Sequence, residues 1–347
     1  MENWQKAFIE SLTSLKELSD RYPIDANSLQ EVVEHYPFRV TRYYFDLIRE
    51  PNDPIWRQCI PNVEEIKDIE TPIDPLNEKG FMPVPFLIHR YPDRVVLLVS
   101  PICPTLCRFC TRKHYVRNHS LPETGNLIDE AIEYIEKKGE IRDVVLSGGD
   151  PLLLPDENLD QTLCRLRRIS HLEILRINTR IPVTLPERIT PSLCKMLKTH
   201  HPLFINIHFN HPLEITPQSS EACACLADAG IPLGSQTVLL KGVNDDLKVV
   251  KQLMQRLLTL RVRPYYIHQL DRVRGTSHFR TSVKKGLRMI AGLRGHTSGM
   301  AVPHYVIDLP GGKGKVSLLP EDVKKGGNVY FLRNYLGEVV EYQDDEE

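Results

Sequence analysis

From about residue 94 onward, short aliphatic runs alternate with amphipathic helical repeats. Each run is short enough to be a buried strand, and the repeats place apolar residues at i, i+4 and i+7. The predicted strands are Val95–Val99, Asp143–Leu146, Glu173–Ile177, Phe204–Phe209, Gln236–Leu240 and Arg263–Ile267. Strands that alternate with crossover helices predict a parallel sheet with both faces covered. Six such units in roughly 175 residues are too few for a closed eight-fold barrel, so the pattern favours an α/β fold with a partial (β/α)6 barrel.

The first 90 residues have a different pattern. Short helical patches, beginning with Trp4–Leu18, are separated by proline-rich turns, and continuous aliphatic runs are scarce. Such a segment is typical of a helical region that packs onto a core. We therefore predict a helical accessory region over residues 1–90, the partial barrel over 91–300, and a C-terminal segment over 301–347.

Composition and charge narrow the function classes. The 347 residues include 44 Lys and Arg against 45 Asp and Glu, so the formal charge is 44 − 45 = −1. A nucleic-acid or membrane-surface partner would require a basic excess, which the sequence does not have. The run Val95–Val99 is far too short to span a bilayer, and the N-terminus has no basic-then-apolar signal pattern. We expect a cytoplasmic protein with a small-molecule partner.

Three of the eight cysteines follow the first predicted strand directly, as Cys103, Cys107 and Cys110. Chemistry in parallel α/β folds is located at the carboxyl ends of strands, and three thiolates on one loop can bind three irons of a [4Fe–4S] cluster. The fourth iron would then remain open. A zinc ion with His114 as fourth ligand is an alternative, although paired zinc knuckles have another spacing. Three buried structural cysteines are the second alternative.

The cysteine spacing resembles that of the radical S-adenosylmethionine superfamily. The resemblance implies that the open iron binds the methionine part of S-adenosylmethionine and that a 5′-deoxyadenosyl radical is formed. The second predicted strand runs into a turn similar to the superfamily's glycine-rich motif, Ser147-Gly148-Gly149-Asp150. A Gly-Gly pair after a strand is by itself an ordinary turn, but glycines would let the backbone approach the cofactor closely.

A glycine-rich lysine loop lies near the C-terminus, in the run Asp308-Leu-Pro310-Gly311-Gly312-Lys313-Gly314-Lys315. A phosphate-binding loop is excluded because the spacing G-x-x-x-x-G-K-[ST] is missing. A lysine flanked by glycines can instead form a Schiff base with pyridoxal phosphate, since a mobile backbone lets it swing away when a substrate amine arrives. An ordinary surface loop with two lysines is the alternative.

Together, the cysteine triplet and the lysine loop are similar to the lysine 2,3-aminomutase family over nearly the whole chain. Further matching motifs are His89-Arg90-Tyr91-Pro92-Asp93-Arg94, Cys110-Thr111-Arg112, Tyr265-Tyr266-Ile267 and Arg294-Gly295-His296-Thr297-Ser298-Gly299. The resemblance implies a radical-SAM partial barrel that converts α-lysine to β-lysine by 1,2-amino migration. It also implies three cofactors: a [4Fe–4S] cluster, S-adenosylmethionine and pyridoxal phosphate held as an aldimine.

The resemblance implies a role for each matching residue. Lys315 is the expected Schiff-base lysine because it lies seven residues after Asp308, as in the family, although Lys313 is a rival. Arg112 would bind the α-carboxylate, and Asp271 and Asp308 the terminal ammonium. The other expected cofactor-binding residues are Arg90, Tyr91, Arg94, Ser147, Gly148, Gly149, Asp150, His208 and Gln236. His208 could equally be a core histidine.

The acidic pair indicates a basic substrate. Two carboxylates at one site repel each other unless a cation lies between them, and the ε-ammonium of lysine supplies that cation. Each charged hydrogen bond contributes ~1.5–3 kcal/mol, so the pair would give strong selectivity over neutral side chains. Relatives that act on glutamate are expected to lack the pair. His268 stands where the family is expected to have tyrosine.

Several alternatives remain open at this point. The same chemistry could act on another basic amino acid or serve translation-factor modification. A non-catalytic iron–sulfur electron carrier or sensor would not need Lys315, and a zinc-binding module would need no iron. The family resemblance implies a low-potential electron donor such as flavodoxin or ferredoxin, and a homo-oligomer. The sequence has no cysteine after Cys225, so we expect the family's C-terminal zinc site to be absent.

Overall fold

Nine strands form one continuous sheet in the order of the chain. The computed structural model describes residues 2–116, 125–320, 323–326 and 329–343. The strands of this sheet are β1 (Leu87–Tyr91), β2 (Arg94–Ser100), β3 (Asp143–Gly148), β4 (Ile174–Thr179), β5 (Leu203–His208), β6 (Leu233–Leu239), β7 (Val262–Gln269), β8 (His304–Asp308) and β9 (Lys315–Ser317).

Strands β2 to β8 are parallel, and an antiparallel strand flanks them at each edge. β1 pairs with β2, and β9 pairs with β8. The sheet curls into a partial barrel, which confirms the predicted α/β architecture. The predicted strands correspond to β2 through β7. β8 and β9 extend the sheet beyond the predicted six, and β9 brings Lys315 to its edge.

Helices cover the sheet and form the N-terminal region. They are α1 (Asn3–Ile9), α2 (Leu15–Ser19), α3 (Ala26–His35), α4 (Arg42–Phe45), α5 (Pro54–Cys59), α6 (Glu64–Lys67), α7 (Gly125–Lys137), α8 (Asp156–Arg167), α9 (Ile181–Thr184), α10 (Pro191–Lys198), α11 (Pro217–Asp228), α12 (Leu247–Thr259) and α13 (Val283–Leu293). Within the described ranges, no helix is both long enough and apolar enough to cross a bilayer.

The N-terminal helices share a hydrophobic core with the barrel. Trp4, Phe45 and Trp56 belong to the same buried cluster as Leu97 of β2 and Leu146 of β3. These helices therefore pack directly onto the sheet. The last three strands form a separate antiparallel sheet, with β10 (Val323–Gly326), β11 (Val329–Arg333) and β12 (Val339–Gln343). The proposed boundaries at residues 90 and 300 remain predictions.

The parallel register places the loops after β2, β3, β5, β7 and β8 at one edge of the barrel. The carboxyl ends of parallel strands meet there, so residues that are distant in sequence become neighbours. The cysteine loop follows β2, the glycine-rich turn follows β3, and Asp308 ends β8. These three predicted features therefore face a common region.

Candidate active site

The three predicted cluster cysteines line one pocket after β2. Cys103, Cys107 and Cys110 are all free thiols, and Pro37, Leu106 and Val116 contribute to the apolar part of the wall. Burial raises the pKa of Cys103 well above its ordinary value, and nearby carboxylate and thiol groups raise it further. Burial and then Cys107 raise the pKa of Cys110 to about 11. A bound cation would be needed to keep these sulfurs as thiolates together.

The three cysteine sulfurs are not gathered as closely as the ligands of one zinc ion. Sulfurs around one tetrahedral zinc lie about 3.8 Å apart, because each zinc–sulfur bond is about 2.3 Å. Within the described ranges, three metal-ligating side-chain atoms come within 4.8 Å of one another at Asp160, Cys164 and His200, and not at the cysteine triplet. His114 is not among the residues that line the cysteine pocket. The zinc alternative therefore loses support.

Two buried charges on the cysteine loop hold it against the N-terminal helices. Arg108 donates to both carboxylate oxygens of Glu65 on α6, with Nη2 2.6 Å from Oε2, and Lys113 Nζ lies 2.6 Å from the same oxygen. All three side chains are nearly inaccessible to solvent. Removing Glu65 would leave two buried cations without their carboxylate partner, so this triad strongly constrains the path of the loop.

Arg180, which follows β4, contacts the cysteine pocket and was not among the predicted residues. Its Nη1 donates to the Sγ of Cys107 at 2.7 Å, and its Nη2 lies 2.8 Å from the Oε1 of Glu214. Arg180 therefore places a buried positive charge beside this sulfur. The position of Arg180 at a strand's carboxyl end is the sequence signal that could have identified it.

The glycine-rich turn brings the end of β3 against the cysteine loop. A Cβ atom on Gly148 would lie 2.3 Å from the carbonyl oxygen of Ser100, and one on Gly149 would lie 2.3 Å from that of Ile102. Gly148 also has a φ of +122°, which side chains disfavour. The glycines are therefore required for the approach of the protein's own backbone, in addition to any approach to a cofactor.

Asp150 acts beneath this turn as a hydrogen-bond acceptor. Its carboxylate accepts from the Thr179 hydroxyl and the Arg180 backbone amide, both at 2.7 Å, and from the Leu152 amide at 3.1 Å. Burial raises the pKa of Asp150 to about 6. The side chain is occupied in joining β3 to β4, so any effect on a cofactor is exerted through the backbone that it holds.

Lys315 begins β9 directly opposite Asp308 in the antiparallel register. Its Nζ forms an ion pair with the Asp308 carboxylate and lies 3.3 Å from Nδ1 of His268. Its backbone amide donates to the Tyr91 hydroxyl at 2.8 Å. Lys313 is exposed. The inward position of Lys315 supports it as the Schiff-base lysine over Lys313.

Two arginines contact residues that lie against the lysine loop. The guanidinium of Arg94 lies 3.9 Å from the centre of the Tyr91 ring. Arg90 donates from Nη2 to the Leu76 carbonyl at 3.0 Å, while its buried Nε has no hydrogen-bond partner among the described residues. Buried donors without a partner are rare in proteins. This set is suited to a phosphate, which guanidinium groups bind well.

The two predicted substrate carboxylates lie close enough to influence each other. Burial, and then the charge of Asp308, raise the pKa of Asp271 to about 6. Burial also raises the pKa of Asp308, but the His268 hydrogen bond and the Lys315 charge outweigh it and leave that pKa at about 2. The acidic pair is therefore a real feature of the fold, and a cation already lies against one member.

The cysteine loop reaches both ends of the expected substrate. The hydroxyl of Thr111 donates to Oδ2 of Asp271 at 2.9 Å. Arg112 donates from Nη1 to the Ser147 hydroxyl at 3.1 Å, and its Nε and Nη2 contact Glu78 at 2.9 and 2.7 Å. Thr111 and Glu78 were not predicted. These contacts join the cysteine loop, the glycine-rich turn and the acidic pair in one site.

His208 and Gln236 face each other across β5 and β6. The His208 ring lies 5.4 Å from the ring of Phe109, which stands between two of the cluster cysteines. Burial lowers the pKa of His208 to about 3, so the ring is neutral near pH 7. The structure thus places both residues behind the cysteine loop, and their contact with a cofactor remains a prediction.

The residues present fit the three implied cofactors. Three gathered thiols suit an iron–sulfur cluster, and a glycine turn held against them leaves backbone available to a nucleotide. An inward primary amine beside unsatisfied buried donors suits an aldehyde that carries a phosphate.

Family models match two parts of the chain. Residues 97–253 match the model described as Radical SAM superfamily, and residues 290–347 match the model described as Lysine-2,3-aminomutase. The first range contains the cysteine loop and the glycine-rich turn, and the second contains Asp308 and Lys315.

Curated relatives match over most of their length. An L-lysine 2,3-aminomutase from Fusobacterium nucleatum is 47% identical, with 99% of this chain and 82% of the relative aligned. One from Clostridium subterminale is 46% identical, with 98% and 83% aligned. A glutamate 2,3-aminomutase from Clostridioides difficile is 43% identical, with 91% and 76% aligned. Overall identity alone therefore does not decide between a basic and an acidic substrate.

Proposed function

Because the chain belongs to the lysine 2,3-aminomutase family of radical SAM proteins, we propose that it converts α-lysine to β-lysine. In this isomerisation the amino group moves from Cα to Cβ, and a hydrogen moves in the opposite direction. Family membership supports the reaction type, and the acidic pair Asp271 and Asp308 supports the substrate.

We assign the cofactors to two sets of residues. Cys103, Cys107 and Cys110 would hold three irons of a [4Fe–4S] cluster, with S-adenosylmethionine at the turn formed by residues 147–150. Lys315 would hold pyridoxal phosphate, and Arg90, Tyr91 and Arg94 its phosphate. When bound, the cluster and the nucleotide supply a carbon radical, and pyridoxal supplies a conjugated system that spreads an unpaired electron.

The protein's own part in the reaction is to orient the amino acid. Arg112 would bind the α-carboxylate, while Asp271 and Asp308 would bind the ε-ammonium. Fixing both ends leaves Cα and Cβ between the cysteine loop and Lys315, and such orientation lowers the entropic part of a barrier. Each charged hydrogen bond would contribute ~1.5–3 kcal/mol to the preference for lysine.

The observation that carries the proposal is the short path between the two sets of residues. Thr111, next to Cys110, donates to Asp271 at 2.9 Å, and Asp308 pairs with Lys315. A carbon radical made at the cysteines would therefore form close to a substrate held at Lys315. An electron carrier or sensor would have no use for this arrangement.

The test is an anaerobic assay of reconstituted protein with S-adenosylmethionine, pyridoxal phosphate and a chemical reductant. Lysine, ornithine, arginine and glutamate are supplied separately, and products are separated by chromatography. We expect β-lysine to form fastest. Faster turnover of glutamate would support the second candidate, a glutamate 2,3-aminomutase, which is the name of the 43% identical relative.

The physiological setting follows from the same chemistry. We propose that a flavodoxin or ferredoxin in the cytoplasm reduces the cluster, because radical formation needs a low-potential electron. We also propose a homo-oligomer, supported by exposed apolar side chains on the C-terminal sheet, such as Phe331, Val339 and Tyr342. Light scattering of the purified protein tests the oligomer, and activity with each reduced donor tests the partner.

A further inference from the structure

The guanidinium of Arg112 is held on one edge by a carboxylate that belongs to the protein. Glu78 accepts from Nε at 2.9 Å and from Nη2 at 2.7 Å, which is the paired geometry that arginine forms with carboxylates. Ser147 accepts from Nη1 at 3.1 Å. The described contacts use three of the five N–H donors of this guanidinium, which leaves one donor on Nη1 and one on Nη2. A substrate carboxylate that binds through both of its oxygens needs two N–H donors.

Glu78 is itself fixed by a short loop, residues 74–82, which we call the strap. The Asp74 carboxylate accepts from the backbone amides of Glu78 at 3.0 Å and Lys79 at 3.1 Å. A 3-10 turn, Lys79–Phe81, follows. The Arg112–Glu78 ion pair is mostly buried, with 19% and 14% of the side chains exposed. Its geometry is therefore set by the fold and is not a solvent-exposed surface contact.

The strap also touches the lysine loop. The Gly311 amide donates to the Pro75 carbonyl at 2.8 Å. A Cβ atom on Gly312 would lie 2.3 Å from the Phe81 ring and 2.7 Å from the Leu76 carbonyl. Glu78 thus connects the residue expected to bind the α-carboxylate with the loop that carries Lys315. It lies outside both family-model matches, 97–253 and 290–347.

We infer that Glu78 is a positioning residue for recognition of the substrate's α-carboxylate. It holds the side edge of Arg112, so that the two free N–H donors point to where the carboxylate binds. This inference rests on the proposed function. A competing role, in which Glu78 fills the carboxylate site and must be displaced, predicts the opposite effect: removal of Glu78 would tighten lysine binding.

The first test measures binding without turnover. Protein loaded with cluster and pyridoxal phosphate, and lacking S-adenosylmethionine, is dialysed to equilibrium against lysine or 1,5-diaminopentane, which is lysine without its carboxylate. In Glu78→Ala, the preference for lysine over the diamine should fall at least about tenfold, while affinity for the diamine stays unchanged. Lys79→Ala, on the same turn, is the matched control and should behave as wild type. An unchanged or increased preference in Glu78→Ala would overturn the inference.

The second test separates positioning from general support of the loop. Glu78→Ala should raise the KM for lysine about tenfold, with a smaller change in kcat and no change in bound pyridoxal or iron. In an Arg112→Ala background, removal of Glu78 should add almost nothing, because the two residues act as one unit. Glu78→Gln, which keeps one acceptor oxygen, should restore part of the loss. Additive effects, or loss of pyridoxal from Glu78→Ala, would instead show a merely structural strap and contradict the inference.

Failure of the proposed function has a different signature. If wild-type protein prefers glutamate to lysine, the reaction assignment is wrong in its substrate. The same comparison is then made with glutamate and 4-aminobutanoate, which lacks the α-carboxylate. The inference predicts the same tenfold loss of preference in Glu78→Ala, and no loss would overturn it.

Discussion

The cysteine loop and the lysine loop meet at one site, but the ion pairs of the two loops differ in their exposure to solvent. The cysteine loop is fixed by backbone contact with the β3 turn and by the buried Arg108–Glu65 pair, of which 2% and 0% of the side chains are exposed. The lysine loop also makes close backbone contacts, at Gly311 and Gly312, and its amine forms an ion pair. The Lys315–Asp308 pair is more open, with 25% and 12% exposed.

The difference matches the work proposed for each region. A cluster and a nucleotide need ligands that do not move, because a reactive radical must form at a fixed place. The Lys315 amine must release pyridoxal when a substrate amine arrives and bind it again at the end of each cycle. An amine in a charge pair with polar neighbours can exchange partners at little cost. The predictions below test this contrast, beginning with the largest effect.

Replacing Lys315 by Ala should reduce the rate of β-lysine formation about a thousandfold or more, since the amine that binds pyridoxal is lost. The iron content should stay that of wild type, because the cysteine loop does not depend on this side chain. Activity and iron measured on one anaerobic preparation check both points. Lys313→Ala is the matched control. An equal loss of activity in that variant would contradict the assignment of the Schiff base to Lys315.

Adding a methyl group should cost more stability at Gly149, on the β3 turn, than at Gly311, on the lysine loop. Gly149→Ala places Cβ 2.3 Å from the Ile102 carbonyl, so we expect about 3 kcal/mol of lost stability. In Gly311→Ala the added Cβ meets no atom within 4 Å. The φ of +72° at this position is unfavourable for alanine, so we expect about 1 kcal/mol of lost stability. Urea unfolding of the cofactor-free proteins measures both. Equal losses of stability in the two variants would contradict the tighter packing around Gly149.

Neutralising the acidic pair should remove the preference for lysine. In Asp308→Asn the ε-ammonium loses one charged hydrogen bond, so the KM for lysine should rise about tenfold to a hundredfold. Asp271→Asn should act in the same direction. Turnover of lysine compared with that of ornithine and norleucine checks the effect. Unchanged selectivity in both variants would contradict the role of Asp271 and Asp308 in selecting the ε-ammonium.

Acidification should weaken lysine binding through Asp271. Its pKa is raised to about 6, first by burial and then by Asp308, so the carboxylate that the ammonium needs is lost as pH falls through 6. The linked effect on stability has the opposite sign. Stability contributed by protonated Asp271 is present below about pH 4 and is lost as pH rises through 6. Dialysis of lysine and urea unfolding between pH 5 and pH 8 check the two signs.

The variant Asp271→Asn separates this titration from that of Asp150, whose pKa also lies at about 6. The variant should lose the pH dependence of lysine affinity near pH 6. It should also gain stability relative to wild type above that pH. Retention of the full dependence would assign it to another group.

Short local patterns predicted the cysteines, the glycine-rich turn and Lys315, because each depends on neighbouring residues. The strand pattern likewise predicted β2 to β7. It did not predict β8, since the run His304–Asp308 begins and ends with polar residues and resembles a loop. Without β8, the sequence gives no reason to expect Lys315 opposite Asp308.

Contacts made through the fold were out of reach of the sequence. Glu78 lies in a proline-rich stretch without periodicity, and only the folded strap brings it to Arg112, 34 residues later. Arg180 reaches Cys107 across 73 residues, and Thr111 reaches Asp271 across 160. From sequence, Glu78 and Thr111 would be interpreted as ordinary loop residues. The position of Arg180 after a strand could mark it as a site residue but could not identify its partner, because strand order sets that partner.

The most direct measurement follows hydrogen from lysine to the nucleotide. Lysine deuterated at Cβ is incubated anaerobically with wild-type protein or Lys315→Ala, with both cofactors and S-adenosylmethionine, and recovered 5′-deoxyadenosine is analysed by mass spectrometry. A substrate held at Lys315 beside the cysteine loop predicts deuterium in the nucleotide from wild type and a large decrease in the variant. Deuterium-free 5′-deoxyadenosine from active wild-type protein would contradict a single site shared by the two loops.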